Sequence, residues 1–133
     1  RVRTMNDLLL DLINHLASKG IVEGDGIDSF RDFTPEEPDS VFVIHEYAGA
    51  PTPLHDTFTH RSLQLTFRDK EASVAKAKCK QIFDELNPIG GYKVLSNGRW
   101  CQIYPRQSPF KIKVDSAGRT TYGFNIGITT ERD

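Results

Sequence analysis

The last third of the chain reads as one strand after another. Residues 92–95, 99–104, 110–115 and 120–129 are rich in β-branched and aromatic side chains and are separated by Gly, Pro, Asn and Ser. Asp115-Ser116-Ala117-Gly118 supplies a hairpin turn, with Phe110, Ile112 and Val114 on one arm and Tyr122, Phe124, Ile126 and Ile128 on the other. Two further strands lie upstream, at 41–47 and at 62–68, where Leu63, Leu65 and Phe67 alternate with Ser62, Gln64 and Thr66. Only two segments carry a helical stripe. A doubly wound parallel sheet needs a helix between successive strands, so this order excludes it. The expected fold is α+β, a mostly antiparallel sheet with two main amphipathic helices packed on one face and long connecting loops.

The first helix is expected over residues 5–19, with Leu8, Leu9, Leu12, Ile13 and Leu16 on its buried side, Thr4 or Asn6 as its cap and Gly20 as its stop. The second covers 70–86. Ala75, Cys79, Ile82, Phe83 and Leu86 form its stripe, Lys70, Lys76, Lys78 and Lys80 its outer face, and Asn87-Pro88 and Gly90-Gly91 end it. Two long connections remain. Residues 23–39 form an acidic surface segment in which Ile27, Phe30 and Phe33 are expected to anchor onto the core. Residues 48–61, with Gly49, Pro51 and Pro53, are long for a loop inside a compact domain. With 133 residues and no internal repeat, residues 1–133 make a single domain, large enough to bury roughly two-thirds of its unfolded surface without disulfides or metals.

The residues that carry chemistry do not assemble into a reaction centre. Cys79 and Cys101 sit in the apolar phase of their elements and are expected to be buried and reduced. His55, His60 and Asp56 match no metal-ligand spacing, His45 and Glu46 point to opposite faces of one strand, and His15 lies at the edge of a helical stripe as a structural histidine would. There is no nucleophile elbow, Walker loop or dinucleotide fingerprint, and Gly90-Gly91 follows a helix where a phosphate cradle precedes one. No enzyme, cofactor or metal is expected. The longest apolar stretch, 8–13, is interrupted by Asp11 and too short to cross a bilayer, and no signal segment opens the chain, so a soluble, non-secreted protein without membrane contact is expected. Tyr122-Gly123-Phe124 is similar to part of the aromatic strand of an RNA-recognition domain, but Thr120-Thr121 replaces the basic-Gly pair and no helix follows.

Charge is segregated along the chain. The net charge is −1, yet residues 23–39 hold seven acids against Arg31 alone, a local charge of −6 that leaves +5 elsewhere. Asp25, Asp28, Asp32, Glu36 and Glu37 repel one another in an isolated chain, and a neighbouring subunit's Lys111 and Lys113, or the outer lysines of the second helix, would relieve that repulsion. Leu54 and Phe58 are apolar residues of the 48–61 loop that a partner would cover. These nine residues are the candidate interface with other subunits or with a larger assembly.

Taken together, Met5-Asn6-Asp7-Leu8-Leu9-Leu10-Asp11-Leu12-Ile13, Glu46-Tyr47-Ala48-Gly49-Ala50-Pro51, Leu63-Gln64-Leu65, the helix beginning near Asp69, and the run from Asp115-Ser116-Ala117-Gly118 to Tyr122-Gly123-Phe124-Asn125 resemble the tail terminator (tail completion, or minor capsid) proteins of long-tailed bacteriophages. The resemblance implies a structural virion protein, assembled in the host cytoplasm and placed at the head-tail junction. It implies a homo-hexameric ring that caps the tail tube, stops its polymerisation and meets the head-closure or connector protein, with DNA only as passing cargo. A head-closure or neck protein of the same connector, and a small RNA- or ligand-binding α+β module, stay open as alternatives.

Overall fold

In a computed structural model, which describes residues 7–47, 58–87 and 92–131, the chain runs α1 (Leu8–Ser18), β1 (Ser29–Arg31), β2 (Val41–Tyr47), β3 (Phe58–Asp69), α2 (Ala72–Leu86), β4 (Lys93–Val94), β5 (Trp100–Pro105), β6 (Phe110–Val114) and β7 (Thr120–Glu131). The strands make one seven-stranded sheet in the order β1-β2-β3-β7-β5-β4, with β6 also on β7. All pairs are antiparallel except β1 with β2, so the fold is α+β, as expected.

The sheet is organised around β3 and β7, which pair without interruption from Phe58↔Glu131 to Asp69↔Thr120. On its other side β7 receives β5 against its C-terminal half and β6 against its N-terminal half. One long hairpin arm is thus broken at 106–109, between Pro105 and Pro109, which have no amide hydrogen for the ladder. The registers Phe42↔Phe67, Ile44↔Leu65, Leu65↔Phe124 and Leu63↔Ile126 place the large apolar side chains on one face. There they join Leu8, Leu9, Leu12, Ile13 and Leu16 of α1 and Ala75, Cys79, Ile82 and Leu86 of α2 in a single core. Phe83 meets Phe124 edge to face at 5.1 Å.

The helix ends follow local chemistry. Asp7 caps α1, its carboxylate accepting the Leu9 amide at 3.2 Å, whereas Thr4 and Asn6 lie outside the described residues. Gly20, at φ 73°, lets the Ile21 amide reach the Leu16 carbonyl and donates its own amide to Ala17, closing the helix with a Schellman turn.

Four expectations need correction. Residues 23–39 are not all connection: Ser29–Arg31 is an edge strand parallel to β2. Of the three anchors, only Phe30 is half-buried, while Ile27 and Phe33 are 60% and 61% exposed, because β1 is the sheet's rim and, among the described residues, no strand pairs beyond it. The 48–61 loop is shorter at its end, since β3 begins at Phe58; its earlier part, with His55, Asp56 and Leu54, lies outside the described residues. Finally, β6 has no buried side. Phe110, Ile112 and Val114 are as exposed as Lys111 and Lys113, because β6 is an edge strand and a bulge between Lys111 and Lys113 breaks its alternation.

Among the described residues, Arg99 and Asp11 form an ion pair inside the core. Arg99, fully buried, donates from Nε to Asp11 of α1 at 2.8 Å and from Nη1 to Thr130 Oγ1 at 3.2 Å and the Glu131 carbonyl at 3.1 Å. Asp11→Leu removes the carboxylate and strands the guanidinium, and should cost about 3–5 kcal/mol. Asp11→Leu combined with Arg99→Met should recover most of that loss. Urea midpoints of the two variants and the parent measure both.

Candidate subunit interface

The sites of reactive chemistry are built as structural parts. Both cysteines are buried and free, and burial pushes the Cys79 thiol up to about 12 and that of Cys101 to about 11, so neither is a thiolate near neutral pH. His15 accepts the Ser96 amide at Nδ1, which leaves Nε2–H to donate to Glu85 at 2.9 Å. His60, expected in a loop, is in β3 and bonds Thr129 Oγ1 through Nδ1 at 2.7 Å. Among the described residues, no group of three His, Cys, Asp or Glu side chains is placed to hold a metal, and no helix is long and apolar enough to cross a membrane. Phe124 is buried in the core and Gly123 lies beneath Ile112, so the Tyr122-Gly123-Phe124 strand presents no aromatic platform for bases.

Acids gather about β1 and unpaired lysines stand on β6. On the β1 rim the acids do more internal work than their sequence suggests. Asp25 takes Arg31 at Nε (3.1 Å) and Nη2 (3.2 Å). Asp28 accepts the Glu23 and Gly24 amides and the Ser29 hydroxyl, and Asp32 accepts the Glu46 amide at 2.8 Å. The repulsion expected among these three is therefore largely offset within the chain. Glu36 is nearly fully exposed, touching Arg119 Nη2 only at 3.5 Å, and Glu37 is exposed with no side-chain partner among the described residues.

Arg68 and Arg119, both buried, hold this acidic segment in place. Arg68 donates to the carbonyls of Glu36, Pro38 and Asp39, and Arg119 to the Glu36 carbonyl and the Asp39 carboxylate. Burial and the neighbouring Arg119 charge both lower the Arg68 pKa, while for Arg119 the bonds to Asp115 and Asp39 outweigh burial and raise it. Asp115 in turn accepts the amides of Arg119 and Ala117 and the Arg119 Nε, and these bonds hold its carboxyl below the ordinary range. The predicted hairpin turn is thus also the anchor of the acidic segment, a link that no local pattern announces.

The β6 edge is basic and partly apolar. Lys111 and Lys113 stand exposed on β6 beside Phe110, Ile112 and Val114, and Arg106 lies over Gly127, its nearest polar partner being Ser62 Oγ at 3.5 Å. Among the described residues no carboxylate pairs with these three cations. Phe58 begins β3 and meets Trp100 at 5.5 Å, away from both charged rims. The structure therefore groups Asp25, Asp28 and Asp32 about β1 and Lys111 and Lys113 on β6, whereas Glu36 is held beside the β6–β7 turn by Arg119, so the five acids do not form one side opposite the lysines. Sequence reasoning missed Arg106, whose only signal was a cation between two prolines.

Gly123, matched by resemblance without an assigned task, has a steric one. A Cβ there would lie 2.7 Å from Ile112 Cδ1, 2.8 Å from the Leu65 carbonyl and 2.9 Å from Thr66 Cγ2. Gly123→Ala should push β6 off β7 and lower stability by about 1–3 kcal/mol, read as a lower thermal midpoint. A second expectation concerns acid. Burial works against ionised Glu85, but bonds from Lys93 (2.8 Å) and His15 prevail and hold its carboxyl below the ordinary range. A lowered folded-state pKa gives stability that is complete above the usual carboxylate range and lost as pH falls through it. Glu85→Gln should therefore be less stable at neutral pH and show a flatter stability profile on acidification, measured by denaturant titrations across pH.

No curated protein matches the chain. A family model described as bacteriophage tail terminator protein matches residues 15–132, which takes in every element from the end of α1 to β7. The match agrees with the α+β order of the elements. The chain belongs to the bacteriophage tail terminator family, and with it to the structural proteins of the phage tail.

Proposed function

We propose that copies of the chain join head to tail into a ring, a hexamer as the family resemblance implies, that caps the tail tube, ends its polymerisation and meets the head's connector while DNA passes through. Family membership supports the tail role. The observation that supports ring closure is that Asp25, Asp28 and Asp32 lie about β1, while Lys111 and Lys113 on β6 have no carboxylate partner among the described residues. A contact between two different surfaces of identical subunits repeats until the rotation closes. Asp25, Asp28 and Asp32 form one side of that contact and Lys111 and Lys113 the other, while Glu36 and Glu37 meet a neighbour from beside the β6–β7 turn. Leu54 and Phe58 face the tube or a neighbour, and acids turned to the lumen keep DNA from adhering. The reading makes the protein a virion component without catalysis or cofactor.

Purified tube protein assembled with the chain should give tubes of limited length with a ring at one end in electron micrographs, and overlong tubes without it. Single exposed pairs contribute only about 0–1 kcal/mol, so one substitution should do little. Asp25→Lys, Glu36→Lys and Glu37→Lys together should abolish capping while lowering the folded chain's stability only by the loss of the exposed Asp25–Arg31 pair, about 0–1 kcal/mol, and high salt should weaken capping partially by screening. Normal capping by the triple variant would overturn the role given to the acidic rim.

A further inference from the structure

Phe33 is held outward by the backbone around it. Asp32 adopts φ 56°, a left-handed conformation unusual for a residue with a side chain. Two bonds fix it there: its amide donates to the Ile44 carbonyl and its carboxylate accepts the Glu46 amide, both at 2.8 Å. The chain turns at that point, and Phe33 emerges 61% exposed, supported only from the side by Phe30 at 6.4 Å. Around it stand Asp7, Asp25 and Asp32, with Arg31 paired to Asp25 and Arg61 3.6 Å from Asp7. The result is an aromatic knob beside three carboxylates, just past the outermost strand.

On the sheet face turned away from the helices lies a recess of about 280 Å³, bounded by His60 and Ser62 of β3, Tyr104 and Arg106, and Gly127 and Thr129 of β7. It exists because Gly127 has no side chain: Arg106 lies across β7 there, 3.0 Å from where a Cβ would be. Tyr104 is 48% exposed, and no carboxylate meets Arg106 among the described residues. A cavity of about 150 Å³ accommodates a benzene ring, so this one has room for a phenyl group with cations at its lip. Knob and recess are complementary in shape class and in charge, and they sit apart along the sheet, the knob just after β1 and the recess over β3 and β7, so one subunit can engage a neighbour with each at once.

We propose that Phe33 of one subunit inserts into the Tyr104–Arg106–Gly127 recess of the next, with the carboxylates around the knob facing Arg106. The inference rests on the ring reading above and names its contact. An aromatic anchor in a pocket next to an arginine is the composition that concentrates energy at interfaces. Phe33→Ala should therefore weaken self-association about tenfold or more while leaving the thermal midpoint of the dissociated chain in place.

The decisive test joins Phe33→Cys and Tyr104→Cys in the full chain, treated with a short bismaleimide after ring assembly on tail tubes. The native cysteines are buried and stay unlabelled. The double variant should give a ladder of linked subunits ending at the ring number, and either single variant should give none. A linked dimer from Phe33→Cys alone would show a symmetric contact and overturn the proposal. So would rings of full mass that yield no ladder and tolerate Phe33→Ala, or linkage of Tyr104→Cys to the tube protein, and in these cases the ring reading survives. A parent protein that forms no ring, free or on tubes, would overturn both.

Discussion

A guanidinium with no exposed surface is costly to bury, and Arg99 is the largest fully buried side chain of this protein. Its bonds run to Asp11 in the first helix and to Thr130 and Glu131 in the last strand, so one side chain joins the beginning of the chain to its end. Thr130 passes the constraint on, its hydroxyl donating to the Trp100 carbonyl at 2.9 Å and accepting the Cys101 thiol. An apolar pair of the same volume would pack as well. What the ion pair adds is a penalty for every misregistration of α1 over the sheet, since any slip leaves a charge in hydrocarbon.

The opposite end of β7 is fastened in the same currency but with another purpose. Arg119 precedes β7 and Arg68 stands near the end of β3, and between them they bind the carbonyls of residues 36, 38 and 39. The acidic segment lies on the rigid sheet instead of trailing in water. That matters for assembly, because a surface already ordered in the free subunit loses less conformational entropy when a partner arrives. The rim acids thus divide into two groups: Asp28 and Asp32 shape the backbone, and Glu36 and Glu37 remain outside it.

Strands and helices were legible because their signals are local. Leu63, Leu65 and Phe67 alternate, Leu8 to Leu16 recur at helical spacing, and residues 41–47 were bounded to the residue. β1 was not legible, since three residues of Ser-Phe-Arg have no period to read and their pairing is with a strand ten residues away. The rim residues were harder still. Phe33 and Ile112 have the composition of core, and only the tertiary fact that they stand at sheet rims leaves them in solvent. Asp11 and His15 offered a usable clue: each is a polar residue in the apolar phase of α1, and each proved to be buried against a distant partner.

A sheet that ends in open strands normally defends them, with short strands, charge or covering loops, because an unpaired edge recruits other chains. Here β1 is three residues long, and β6 alternates Lys111 and Lys113 with Phe110, Ile112 and Val114. In the ring proposed above, the acids about β1 and the lysines of β6 would repel a copy approaching by the same strand and attract one approaching by the other. That would disfavour like pairing into closed dimers and favour the unlike pairing that closes a ring. The same arrangement limits the strength of each contact, since exposed charges are screened within about 8 Å at physiological salt. Closure compensates for that weakness: once a ring is complete, a subunit leaves only by breaking two contacts together, so modest rims can produce a persistent assembly.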